Sequence, residues 1–189
     1  MVAAVAGAIV CTGCSGGSDS AGVRDLSAGG TCAAGENITV NTRDAAPVIT
    51  GECGNVAASA DAVRGNVESA SAVTITGTGT TLLGEKWGTL AIAGAGSGAN
   101  IDQADQVTVG ADNTRITGKD LGSVTVDGNA GTINADRIGT LIVNGDGNTV
   151  LVSGDIDRLE VHGDNNTFNW DGGVPKPTTD MGSGNTYTR

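Results

Sequence analysis

The chain has 189 residues and 18.5 kDa, room for one domain, but Gly supplies 32 of them and Phe, Tyr and Trp only four together. Average glycine usage is about 7%, so this chain is turn-rich, and a core with so few rings is thin and aliphatic, unlike that of a conventional globular enzyme. Ten Lys and Arg against 21 Asp and Glu give a net charge of -11, which opposes phosphate backbones and makes nucleic acid the poorest of partners.

Met1 to Val10 are almost all Ala, Val, Gly and Ile and run into Cys11-Thr12-Gly13-Cys14. That run is too short to span a bilayer and reads as the apolar region of a secretory signal. Thr12-Gly13-Cys14 resembles the bacterial lipobox, whose cysteine becomes the lipidated first residue after cleavage. No Lys or Arg precedes Arg24, and Cys11 stands where lipoboxes usually have Leu. Residues 1–13 are thus expected to be a lipoprotein-type signal peptide, Cys14 the lipidation site, and residues 14–34, rich in Ser, Gly, Ala and Asp, a flexible tether. An extracytoplasmic, lipid-anchored or secreted location follows. With Cys11 removed and Cys14 acylated, Cys32 and Cys53 remain as a disulfide pair for an oxidising compartment. Zinc would need further ligands, and the only histidine, His162, lies far along the chain.

From there the chain repeats. Val73, Leu90, Val107, Val124, Leu141 and Leu159 are 17 residues apart, the last step 18, with Asp155 the inserted residue. Ile75, Ile92, Val109, Val126, Val143 and Val161 follow two residues later, and Ala70, Trp87, Ala104, Leu121, Ile138 and Ile156 precede by three. Leu82, Ala99, Ile116, Ile133, Val150 and Phe168 make a further column. Apolar residues two apart flanking a polar or small one have the strand period. Gly77, Gly94, Gly128, Gly145 and Gly163 share one turn phase, broken by Ala111, where positive φ is expected. A 17-residue coil cannot bury its own apolar side chains, so coils must stack with like residues in register. The fold class predicted is all-β: a single-domain parallel β-solenoid of about eight 17-residue coils over 35–172, roughly 38 Å long, with a C-terminal cap over 173–189. Phe168 and Trp170 put rings at the end, Val174-Pro175-Lys176-Pro177 cannot continue a ladder, and Gly184-Asn185-Thr186-Tyr187 echoes Asn166-Thr167-Phe168 as one last strand.

Gly30-Thr31-Cys32, Gly51-Glu52-Cys53-Gly54, Gly145-Asp146-Gly147-Asn148-Thr149-Val150, Gly163-Asp164-Asn165-Asn166-Thr167-Phe168 and Gly182-Ser183-Gly184-Asn185-Thr186 resemble an actinobacterial, largely mycobacterial, secreted and lipoprotein family known as domain of unknown function 3060. The resemblance covers about Gly30 to the end. It implies source and location and carries no activity, so no catalytic residue transfers.

Convergent chemistry is sparse. His162 sits in an outward column with Thr76, Ala93, Gly110, Asp127 and Asn144, with the nearest carboxylate of that column two coils away and no nucleophile beside it. Glu85, Asp102, Lys119, Asp136, Ser153 and Asp171 form an outward column resembling the acidic faces of polysaccharide-cleaving β-helices, interrupted by Lys119 and Ser153. Asp112, Asn129, Asp146 and Asp164 share one turn phase, which makes Asp112, Asp146 and Asp164 candidate cation ligands, calcium being the ion that takes loop oxygens. An ice-binding face suggested by Thr74, Thr108 and Thr125 is interrupted by Ala91, Ile142 and Glu160. The resulting expectation is a non-enzymatic, monomeric envelope module without cofactor or bound metal, held at the membrane by its lipid and meeting a glycan or protein partner. The alternative is a polysaccharide-active enzyme using Asp102 and Asp136.

Overall fold

The computed structural model describes residues 22–189, so the signal segment and Cys14 lie outside the described residues. Thirteen strands form one sheet: β1 (Arg24–Asp25), β2 (Gly30–Thr31), β3 (Ile38–Val40), β4 (Val48–Ala58), β5 (Arg64–Ile75), β6 (Thr81–Ile92), β7 (Gly98–Val109), β8 (Arg115–Val126), β9 (Thr132–Val143), β10 (Thr149–Val161), β11 (Thr167–Gly173), β12 (Thr179–Asp180) and β13 (Thr186–Thr188). Every pairing is parallel, and the strands from β3 to β11 follow one another in sequence order. The protein is a β-solenoid of about ten turns, about 17 residues per turn.

The register follows the repeat. Val107 pairs with Val124, Val124 with Leu141 and Leu141 with Leu159. Each turn pairs along three segments, such as 115–118, 120–121 and 123–126 of β8, and skips single residues such as Lys119 and Gly122, where the coil bends. Asp155 enters as foreseen, in a register shift between Val152 and Ile156. The apolar columns face inward and are buried along the whole stack. Each turn therefore covers its neighbour's side chains, and a turn alone would have no core.

Both ends extend the stack beyond the eight coils expected. The tether expected to reach residue 34 already holds β1 and β2. β1 lies on β3 and β2 on β4, while Leu26 is buried. One leucine and a backbone ladder are enough to dock a stretch whose composition otherwise describes a linker. At the other end β13 pairs with β11, Phe168 opposite Tyr187, and β12 pairs with β10. The tail is thus a further turn.

The glycine column at the corner is needed for space and not for positive φ, which corrects the expectation. Positive φ occurs two residues later, at Gly79, Gly96, Gly147 and Gly184, and also at Asn113, Ala130 and Asn165. A Cβ on Gly145 would lie 2.0 Å from the Gly128 carbonyl oxygen of the turn beneath, and one on Gly94 2.0 Å from that of Gly77. Backbone passes over backbone there, and the Gly94, Gly128 and Gly145 amides all donate to a carbonyl of the preceding turn. Where Ala111 interrupts the column, the neighbouring Thr114 hydroxyl turns to the Ala111 carbonyl of its own turn (2.9 Å), whereas Ser97 reaches down to Gly77 (2.8 Å).

Candidate functional site

Two outward files meet on one flank. Thr117, Asn134, Leu151 and Asn169 come from the first side of successive turns, and Asp136, Ser153 and Asp171 from the bend beside it. Between them the inward positions hold Gly118, Ala135 and Val152. A Cβ on Gly118 would lie 2.7 Å from Leu121 Cδ2, so the buried Leu121 side chain takes that place in the core. These residues line an open groove of about 530 Å³, with Leu151 exposed along one side.

Two carboxylates of the acidic column, Asp102 and Asp136, have partners, whereas Asp171, which lines the groove, has none among the described residues. Lys119 Nζ lies 2.8 Å from Asp102 Oδ2, and this hydrogen bond, reinforced by the carboxylate's charge, raises the lysine pKa. Ser153 Oγ donates to Asp136 Oδ1 at 3.2 Å. Asp102 and Asp136 are two turns apart, about 9.6 Å along the stack, with an ammonium group between them. A glycoside-cleaving pair places its two carboxyls facing one bond with room for sugar or water between; here the intervening place belongs to a cation. On the neighbouring file Arg137 pairs with Asp120 and Asp157.

The aspartates proposed as cation ligands do share a column, and the structure gives them another role. Asp112 Oδ1 accepts the Asn129 amide (2.7 Å), Asn129 Oδ1 the Asp146 amide (2.8 Å), Asp146 Oδ1 the Asp164 amide (2.7 Å) and Asp164 Oδ1 the Ser183 amide (2.7 Å). Each side chain closes an amide of the next turn that the ladder leaves open. Among the described residues no group of three or more His, Cys, Asp or Glu side chains is placed to hold a metal ion. The column is a staple between turns.

His162 differs from its expectation in one respect. Glu160 Oε2, from the neighbouring outward column of the same turn, is 4.0 Å from His162 Nε2, closer than any carboxylate foreseen in the histidine's own column. Glu160 also takes the Arg158 guanidinium. Cys32 and Cys53 form the disulfide, with Cα atoms 5.2 Å apart.

Sequence reasoning missed a buried polar corner. Thr80, Ser97, Thr114, Asn148 and Asn166 are all buried, in one column with Val63, Gly131 and Asn185. Val63 N–H donates to Thr80 Oγ1 (3.2 Å), Thr80 N–H to Ser97 Oγ (2.9 Å), Gly131 N–H to Asn148 Oδ1 (2.8 Å) and Asn148 N–H to Asn166 Oδ1 (2.7 Å). The 17-residue spacing was available as a signal, but polar residue types at a turn do not announce burial. Comparison with family models, curated proteins and solved structures finds no match for this chain.

Proposed function

We propose that this protein is a non-catalytic β-solenoid rod of the cell envelope, anchored through Cys14 or secreted, that spaces or binds an envelope glycan or protein and works as a monomer. The observation that carries the reading is that the carboxylates on this flank form no free convergent pair: Asp102 is engaged with Lys119, Asp136 with Ser153 and Asp120 with Arg137, and the groove lining adds only Asp171, two turns from Asp136. Groups so engaged serve recognition and rigidity better than acid–base chemistry, which needs a convergent pair. The Cys32–Cys53 disulfide supports an oxidising compartment. A capped terminal turn that covers Phe168 supports the monomer. The family resemblance belongs to the same proposal.

Detergent phase separation of the full chain tests the anchor. Wild-type protein is expected in the detergent phase and Cys14→Ala in the aqueous phase, and identical partition overturns the anchored form. The groove of about 530 Å³ favours one second reading, a polysaccharide-active enzyme. Incubation with a panel of envelope glycans separates the two: reproducible cleavage abolished by Asp136→Asn establishes the enzyme, and retention of intact glycan establishes the binding module.

A further inference from the structure

On another flank the molecule carries a feature out of keeping with its charge. Of its ten Lys and Arg, five pair with carboxylates: Arg24, Arg43, Lys119, Arg137 and Arg158. Arg64 and Arg115 pair with none among the described residues, and both line one cavity of about 470 Å³. They occupy the same file, Arg64, Thr81, Gly98, Arg115, Thr132, three turns apart. The stacking distance separates their backbones by about 14 Å. Between them the file carries Thr81 and the buried Gly98. A Cβ on Gly98 would lie 2.3 Å from the Arg115 carbonyl oxygen, so this glycine lets the Arg115 turn close down on it. Along the rim Gly79 and Gly96 have open space where a side chain would stand, and Asn100, Asn113 and Thr117 present amides and a hydroxyl.

The geometry points to a binding site for an acidic saccharide, with Arg64 and Arg115 each taking a carboxylate or phosphate group and the amide and hydroxyl wall taking sugar hydroxyls. Guanidinium groups match planar oxyanions bidentately, which fits an anionic partner. The separation of the two arginines suits a ligand longer than a single anion, and the open rim at Gly79 and Gly96 admits a ring. The lining offers no aromatic or large aliphatic side chain to seat an acyl chain or an apolar peptide anchor. Nearby carboxylates do not fill the arginines' place: Asp61 Oδ1 accepts the Thr78 amide (2.8 Å) and Asp112 Oδ1 the Asn129 amide (2.7 Å). The overall charge of -11 is screened beyond about 8 Å at physiological salt, so the local cations decide.

The site is separate from the groove beside Asp136, and the inference goes beyond the anchored-rod reading: the partition test leaves it untouched. Calorimetric titration of the full chain with a galacturonic acid trimer is expected to show saturable binding. Arg64→Gln and Arg115→Gln should each weaken it at least about tenfold, as should raising salt from about 0.05 to about 0.5 M, with Arg43→Gln as the unaffected control. Circular dichroism of the variants should match the wild type, since both side chains are exposed. Absence of trimer binding, equal binding of its neutral methyl ester, or binding indifferent to both arginine variants overturns the site. Binding of inorganic phosphate without the trimer overturns the saccharide assignment.

Discussion

The two ends of the rod solve one problem with opposite materials. At the first turns the core is small, Leu26, Cys32, Ile38 and Cys53, and the turn is held by a covalent bond and by Glu36, which takes both the Arg24 guanidinium (2.7 Å) and the Ala33 amide (2.9 Å). At the last turns the core is aromatic: Phe168 stacks on Tyr187 at 5.3 Å, Trp170 meets it edge-on at 6.4 Å, and Trp170 Nε1 donates to the Val174 carbonyl. An end with little to bury needs a cross-link and a carboxylate; an end with rings can close by packing.

The largest test acts between the ends. Val126→Asp places a carboxylate in a fully enclosed column, which costs several kcal/mol without a partner. Because each turn leans only on its neighbours, the damage should travel both ways, and unfolding or aggregation is expected in circular dichroism and size exclusion. A soluble variant with an unchanged β signature would contradict the inward column. Next comes the aromatic end. Ending the chain after Gly172 removes β12 and β13, uncovers Phe168 and leaves the β11 edge unpaired. Concentration-dependent association is expected in light scattering, and a monomer at every concentration would show that the last turn is dispensable as a cap.

The cross-linked end should fail more gently. The disulfide spans 21 residues, and losing it in Cys32→Ala/Cys53→Ala should cost roughly 3 kcal/mol in the chain-entropy model. The loss should be local, with hydrogen exchange rising around β1 to β4 and not around β11 and β13. Uniform acceleration along the rod would mean that the first turns nucleate the rest, contrary to the comparison.

What could be read beforehand was whatever repeats as an apolar residue. The inward columns, the Asp155 insertion, the Cys32–Cys53 pair and the closing strand around Tyr187 were all legible, since burial selects residue type and stacking preserves spacing. The docking of β1 and β2 was not, because those strands are held by backbone pairing and offer only Leu26 as an apolar clue. Spacing also located the aspartate column without revealing its use: an aspartate that binds a cation and one that accepts the next turn's amide look alike in sequence. The same holds for the buried Thr80 to Asn166 corner. Arg64 and Arg115 stand three repeats apart, and only the fold shows that they line one cavity.

The smallest test uses protons and gives the two ends opposite limits. Glu36 is held below its ordinary pKa by the Ala33 amide and then by Arg24, and Asp25 below its own by the Ser27 hydroxyl and amide. A lowered carboxylate pKa means stabilisation that is complete above the ordinary value, 4.5 for Glu36 and 3.8 for Asp25, and lost as pH falls through the folded one. Tyr187 is displaced the other way: burial raises its pKa, and its hydroxyl donates to Asp180 Oδ2 at 2.8 Å. A raised phenol pKa means stabilisation that is complete below the ordinary value of about 10 and lost as pH rises through the folded one. Acid should therefore loosen the first turn alone, read as broadening of the Ala33 and Ser27 amide resonances, and alkali the last. Tyr187 is the only tyrosine, so the ultraviolet tyrosinate band reports it directly. Titration should lie above the ordinary phenol range and move back toward it in Asp180→Asn, because that variant removes the charged acceptor while leaving the stack on Phe168. An ordinary midpoint in the wild type would show that Tyr187 is solvated, and with it that the aromatic end is open.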